Sequence, residues 1–252
     1  MTGGLPGNPE TVARVLSHDL AALIRSARQL SAYAREDVLR EDADATMHAI
    51  GMLDVRLAHI DRFVSELIRY CRAGERTYRA EPFSVTDLVQ TLFGKISPGI
   101  EAQLHLTCSR DVLIADPDVV RGTLTEIMTN AVQHHDKPVT LRLDVEVTQV
   151  DDESICIVIE DNGPGVADGF ISRIKEPFVK TGGRAGAAGL GLAICDQEVR
   201  AAGGRLNMRQ AGSGGLCVEL MLPGGLEAAA KNPSRPSIEP LKSSERPSLK
   251  VV

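Results

Sequence analysis

The chain has 252 residues, 43% of them apolar and only 3% aromatic, with no tryptophan. That is enough apolar matter for one or two domains whose cores rest on Leu, Val, Ile and Ala. The formal charge of −6 argues against a general binder of nucleic acid or of anionic membrane, because a surface of that sign repels phosphate backbones. Any phosphate site is therefore local.

Residues 1–8 are rich in Gly and Pro and read as a flexible N-terminus. Asn8-Pro9-Glu10 supplies an N-cap, a proline at the first helical position and an acid in the first turn, which marks a helix start. A seven-residue pattern then runs through Ala13, Leu16, Leu20, Leu23, Ala27, Leu30 and Ala34, and a second through Ile50, Leu53, Leu57, Ile60, Val64, Leu67 and Cys71. Two such helices, joined near 41–44, predict an all-α helical hairpin over residues 9–76. A lone hairpin cannot cover both of its apolar stripes, so the pattern predicts a homodimer with a four-helix bundle. In this register His18 falls on the outer, solvent-facing side of the first helix.

After Arg72-Ala-Gly-Glu-Arg76 the texture changes, and residues 77–223 read as a separate α+β two-layer sandwich with helices on one face of a mixed sheet. Helices are expected at 84–95, 117–134, 168–175 and 189–203, and strands at 104–108, 112–115, 139–147, 155–160, 205–210 and 216–222. Residues 224–252, rich in Pro, Ser and basic side chains, read as a disordered tail.

The five cysteines, Cys71, Cys108, Cys156, Cys195 and Cys217, are odd in number and scattered. They indicate neither a disulfide framework nor a zinc knuckle, but buried small hydrophobes in a reducing compartment. No apolar run approaches the roughly 18 residues of a spanning helix, and the first residues lack a basic segment followed by an apolar one. The expectation is a cytoplasmic chain without membrane insertion, to which a separate sensor protein or a missing segment delivers any membrane signal.

The chemistry lies in four short segments taken in order: Ser17-His18-Asp19-Leu20; Glu126-Ile-Met-Thr-Asn130-Ala131; Asp161-Asn162-Gly163-Pro164-Gly165; and Gly186-Ala-Ala-Gly189-Leu190-Gly191-Leu192. They offer a nucleophilic imidazole, a carboxamide for a metal ion, a carboxylate for a base and a glycine-rich lid. A Walker A loop and the protein-kinase signature set are both missing. Imidazole attacks phosphorus when one nitrogen is unprotonated, and an adjacent carboxylate can hold the other ring N–H and stabilise the developing imidazolium. His18 and Asp19 fit those two roles. Glu126 and Asn130 lie four apart on a predicted helix and share a face. Asp161 follows an apolar strand, where a buried carboxylate can accept the adenine amino hydrogen while Gly163 and Gly165 let backbone approach the base; taken alone, the string reads equally as a tight turn. Lys180, Thr181 and the glycines up to Gly189 lead into Leu190, Gly191 and Leu192, a loop running into a helix N-terminus that offers N–H groups to phosphate and can act as a lid. Lys180 adds charge there. His134, His135 and Asp136 are consecutive at a helix end and read as structural or surface groups.

As an ordered set these motifs resemble those of two-component sensor histidine kinases. Ser17-His18-Asp19-Leu20, Asp116-Pro117 and Leu190-Gly191-Leu192-Ala193-Ile194-Cys195 are most similar to the phytochrome-type members. The resemblance spans residues 12–223. It implies a dimerisation and phosphoacceptor hairpin followed by an ATP-binding domain of the gyrase, Hsp90, histidine kinase and MutL superfamily. It further implies that Asn130 ligates a Mg²⁺ bridging the ATP phosphates, that Glu126 positions or polarises the attacking group, and that His18 is phosphorylated from ATP. The phosphoryl group then passes to an aspartate on the receiver domain of a response regulator.

The chain departs from that pattern at three positions. Ala22 stands where related kinases carry the Thr or Asn that orients a hydrolytic water, which puts phosphatase activity in doubt. Leu23 replaces a common proline, which predicts a straighter first helix. Gln133 replaces a basic residue before His134. The competing reading is a histidine phosphotransfer or scaffold protein with a degenerate nucleotide domain; a serine/threonine kinase or ATPase of the same superfamily is a third.

Overall fold

The structure is a computed structural model, and it describes residues 16–75, 77–135, 139–180 and 189–227. The expected helix start at Asn8, the heptad position Ala13, Asp136, Thr181, Gly186 and residues 228–252 lie outside the described residues. Two units divide the chain: Met1–Ala73 with Ile174–Ile194, and Gly74–Arg173 with Cys195–Val252. Ile174–Ile194 thus groups with the hairpin.

The first unit is an antiparallel helical hairpin. A π-helical turn, Leu16–Leu20, leads into α1 (Ala21–Leu39), and three residues separate it from α2 (Ala43–Arg72). Asp42 caps α2 by accepting a hydrogen bond from the Ala45 backbone N–H at 2.9 Å, which fixes the reversal where the sequence predicted it. The helix runs unbroken through Leu23 as α1, and the wide turn lies upstream of it, around His18. Such single turns recur at functional sites, although no proline is needed to produce this one.

The inner face of α2 is rotated by one residue from the expected stripe. Ala49, Phe63 and Tyr70 are buried, whereas Ile50, Leu57 and Val64 are 39%, 49% and 37% exposed and Cys71 is exposed. Leu53, Ile60 and Leu67 belong to both faces and are half-buried. The predicted pattern therefore merged two faces, one turned toward α1 and one turned outward.

The second unit contains two sheets. The main sheet has the order β2 (Ala102–Cys108), β4 (Leu141–Asp151), β5 (Ser154–Asp161), β7 (Leu216–Pro223), β6 (Arg205–Gln210). It is mixed, because β2 pairs with β4 in parallel while the other pairs are antiparallel. Strict alternation puts Leu141, Leu143, Val145 and Val147 of β4 and Ile155, Ile157 and Ile159 of β5 into one core. On that face pack α3 (Val85–Ile96), α4 (Pro117–His134) and, from α6 (Gly191–Ala201), Cys195 and Val199. Ser84 caps α3 and Asp116 caps α4, with Pro117 at the first helical position. The expected two-layer α+β arrangement is present, with a short helix, α5 (Asp168–Ile171), completing the list of helices described.

A small second sheet, β1 (Glu81–Ser84), β3 (Val112–Ala115) and β8 (Gly225–Glu227), was not fully foreseen. Gly225–Glu227, which lies within the expected tail at 224–252, pairs antiparallel with β3. Leu226 explains the correction: it is 5% exposed, its N–H donates to Gln149 Oε1 at 2.6 Å, and its carbonyl accepts from Arg110 at 3.2 Å.

Candidate functional site

In the hairpin unit, His18 projects from the π turn with its side chain 78% exposed, on the solvent-facing side that the heptad register predicts. Its Nδ1 lies 3.0 Å from Asp19 Oδ1. Lys180 Nζ lies 3.5 Å from Asp19 Oδ2. The imidazole hydrogen bond, opposed by burial and helped by the Lys180 charge, holds the Asp19 carboxyl below its ordinary value. An ionised carboxylate only accepts hydrogen bonds, so Nδ1 carries the hydrogen and, in the neutral ring, Nε2 keeps its lone pair. Asp19 thus selects the tautomer that leaves the Nε2 lone pair available.

Lys180 was expected at the phosphates; its ion pair here is with Asp19. The segment that carries it is anchored on the hairpin by an apolar cluster of Phe63, Tyr70, Leu190, Ala193 and Ile194, joined by Leu20, Leu23, Leu67 and Phe178. The Phe178 N–H donates to the Gly189 carbonyl at 2.7 Å, closing the base of the glycine-rich segment. Gly189 has φ +72°, and a Cβ there would stand 2.8 Å from the Val179 carbonyl oxygen, so glycine is required. Leu190 is fully buried, whereas Gly191 and Leu192 open α6 half-buried.

In the second unit, α4 buries Val119, Val120, Leu124, Ile127, Met128 and Ala131, which turns Glu126 and Asn130 together onto its half-buried flank. Asn130 Nδ2 donates to Glu126 Oε1 at 3.3 Å. That bond orients the amide so that its Oδ1 is the atom left to face a cation. Among the described residues no group of three or more His, Cys, Asp or Glu side chains that could hold a metal stands together. One carboxamide plus phosphate and water oxygens suits Mg²⁺, which keeps much of its hydration.

Asp161 ends β5, and its Oδ1 accepts the Gly163 N–H at 2.8 Å. Asn162 pins the same turn to the start of β4: its Oδ1 accepts the Arg142 N–H at 2.8 Å and its Nδ2 donates to the Thr140 carbonyl at 3.0 Å. Gly165 has φ +73°. Behind the turn lies the β6–β7 connection. A Cβ on Gly215 would collide with the Asp161 carbonyl and carboxylate oxygens, and a Cβ on Gly165 would stand 2.6 Å from the Gly214 carbonyl oxygen. The signal that could have revealed this is the adjacent pair Gly214-Gly215 between two strand-forming runs, Arg205–Gln210 and Leu216–Pro223.

Residues 115–225 match the family described as histidine kinase-, DNA gyrase B-, and HSP90-like ATPase. The chain is 30% identical over 243 residues to the C4-dicarboxylate transport sensor protein DctB of Pseudomonas aeruginosa, covering 88% of this chain and 37% of that protein. It is 24% identical over 218 residues to the sensor histidine kinase ZraS of Salmonella typhi, covering 84% of this chain and 45% of that one. The chain therefore spans less than half the length of these curated relatives. Among solved structures, full-length ShkA in complex with AMPPNP shares the fold with a TM-score of 0.63 at 22% identity, over 88% of this chain and 47% of that one. The histidine kinase AdeS of Acinetobacter baumannii does so with a TM-score of 0.62 at 16% identity, over 83% and 98%.

Proposed function

We propose that the chain is a two-component sensor histidine kinase with residues 115–225 as its ATPase domain, a reading supported by its similarity to that ATPase family and to sensor kinases, and that it phosphorylates His18 from ATP and passes the phosphoryl group to an aspartate of a response-regulator receiver domain. The observation that carries this reading is the exposed His18 imidazole with Asp19 at Nδ1 and no partner at Nε2 among the described residues. In the reaction, Nε2 attacks the γ-phosphorus, the bond from that phosphorus to the bridging oxygen of ADP breaks, and ADP leaves with the electron pair. The Nδ1–H bond to Asp19 stabilises the cationic ring as it forms.

Adenine recognition rests on Asp161, with Gly163 and Gly165 leaving room for the base. Leu190, Gly191 and Leu192, at the start of α6, are assigned to the nucleotide with Gly189, Lys180 and Thr181. Asn130 would hold Mg²⁺ and Glu126 orients its amide, a pairing that fits the 3.3 Å hydrogen bond between them. When bound, that ion neutralises charge on the phosphates. In the hairpin, the outward line of Ile50, Leu57 and Val64 supports a homodimeric four-helix bundle. No helix among the described residues is long and apolar enough to cross a membrane, which is compatible with a cytoplasmic assignment and with input from a separate sensor. The structure of ThkA in complex with the response regulator protein TrrA, similar in fold at a TM-score of 0.61 and 16% identity over 86% of this chain and 64% of that one, supports a receiver partner.

Incubation with γ-labelled ATP and Mg²⁺ tests the reading. The label should be stable to base, lost in acid, and absent from His18→Gln. Acid-stable label, or label that survives His18→Gln, defeats the assignment. A parent chain that binds no ATP analogue would instead favour the phosphotransfer or scaffold alternative.

A further inference from the structure

We infer that Gln210, at the end of β6, is a positioning residue that holds the Asp161–Val166 loop in the shape needed to read an adenine base, an inference that rests on the nucleotide reading of Asp161 given above. Its side-chain amide uses both of its functions at once, on two different loops. The carbonyl Oε1 accepts the Val166 N–H at 3.3 Å, and Nε2 donates to the Gly214 carbonyl at 3.1 Å. The amide lies directly against Gly165, where an added Cβ would collide with Nε2 and would approach Cδ to 2.9 Å. Gly165 is thus fixed twice, by its φ of +73° and by the Gln210 side chain packed on it.

The other end of the same loop is anchored by the same turn. The Ser213 hydroxyl lies 3.0 Å from the Asp161 carbonyl oxygen and 3.1 Å from Glu160 Oε1, and its one hydrogen is shared between them. Gly215 closes against Asp161 from behind. The loop carrying the adenine carboxylate is therefore held at Asp161 by Ser213 and at Val166 by Gln210. Only a primary amide of this length both accepts from Val166 and donates to Gly214: glutamate loses the donor, and methionine loses both while keeping the length and most of the shape. Since discrimination between adenine and guanine depends on where the Asp161 carboxylate sits, loosening the loop should weaken both affinity and selectivity.

The test uses the full chain, with ADP and GDP titrated separately by calorimetry and backbone amide exchange followed without nucleotide. Gln210 is exposed, so Gln210→Met should fold with an unchanged melting temperature. It is expected to lower ADP affinity by roughly three- to ten-fold, the range of one or two lost hydrogen bonds. It should also lower the ADP-to-GDP affinity ratio and speed exchange at residues 163–166. Gln210→Glu, which keeps the acceptor for Val166, should fall between parent and Gln210→Met. ADP affinity and selectivity that stay at parent values in Gln210→Met, even with faster exchange, would reduce Gln210 to a structural role and overturn the inference. A parent chain that itself prefers GDP, or that binds neither nucleotide, overturns the adenine reading of Asp161 and this inference with it, an outcome distinguishable because it appears before any substitution is made.

Discussion

Gly215 stands so close behind Asp161 that any side chain at position 215 would drive into the carbonyl and carboxylate of the aspartate. A strand-connecting glycine thereby sets where a carboxylate on another strand can lie. Gly215→Ala should displace the Asp161 turn without entering any nucleotide space itself. Overpacking of one methyl into backbone of this kind predicts a loss of adenine-nucleotide affinity of roughly ten-fold or more. Gly212→Ala, where an added Cβ meets nothing within 4 Å, serves as the control in the same calorimetric titration. Equal affinities for the two variants would mean that the close approach has no bearing on binding.

The state of Asp19 gives a prediction with a definite sign. Its carboxyl is held below the ordinary range, first by the His18 hydrogen bond and also by the Lys180 charge. A depressed folded-state value means that the pairing contributes above the unfolded-state value and is lost as pH falls through the folded one. Following the Asp19 carboxyl carbon by NMR, Lys180→Met should move its titration upward, and His18→Gln should move it further, because the imidazole is the larger cause. The pair is largely exposed, so neither change should alter the melting temperature appreciably. An Asp19 titration unmoved by Lys180→Met would break the link between Lys180 and the His18–Asp19 pair.

How much of this was legible in the sequence depends on the range of the interaction concerned. The main sheet could be read because Leu141, Leu143, Val145 and Val147 alternate without interruption, and α4 because Asp116-Pro117 caps an amphipathic run. Two short strands were hidden by their own punctuation: Pro82 lies inside β1, and the Gly224-Gly225 pair opens β8. The phase of α2 is not legible in one dimension because Ile50, Leu57 and Val64 form as continuous an apolar stripe as Phe63 and Tyr70, which face inward. A helix with two apolar faces has two acceptable registers in one dimension, and only packing chooses. The candidate site residues His18, Asn130 and Asp161 stand in local motifs, whereas Gln210, Ser213 and Gly215 act on a loop about fifty positions away. Nothing in their own neighbourhood encodes that contact.

The outward face of α2 predicts the oligomeric state. Leu57 is 49% exposed in the single hairpin, so replacing it with a charge should leave the intramolecular packing intact while burying an unpaired carboxylate in any dimer seam. Sedimentation of the parent chain should report twice the 27.0 kDa chain mass, and Leu57→Glu should report that mass once at micromolar concentration with unchanged helical content. A parent chain that sediments as a monomer, or a variant that stays dimeric, would show that this line of side chains serves another purpose.

The last strand makes a prediction about stability rather than chemistry. Leu226 is 5% exposed, belongs to the main core, and has both its backbone groups bonded to side chains, Gln149 and Arg110, outside its own small sheet. Such an edge is held by burial and by long-range polar contacts at once, so removal of the side chain leaves a cavity that three residues of strand cannot close. Leu226→Ala should cost roughly 2–5 kcal/mol, read as a lower urea midpoint with an unchanged slope. Gln149→Leu should act in the same direction by leaving the Leu226 N–H without its acceptor, at roughly 1–3 kcal/mol. Because the two sites are in contact, the double variant should lose less than the sum of the single losses. Strict additivity would mean that β8 is pinned by two independent contacts and does not act as one clasp.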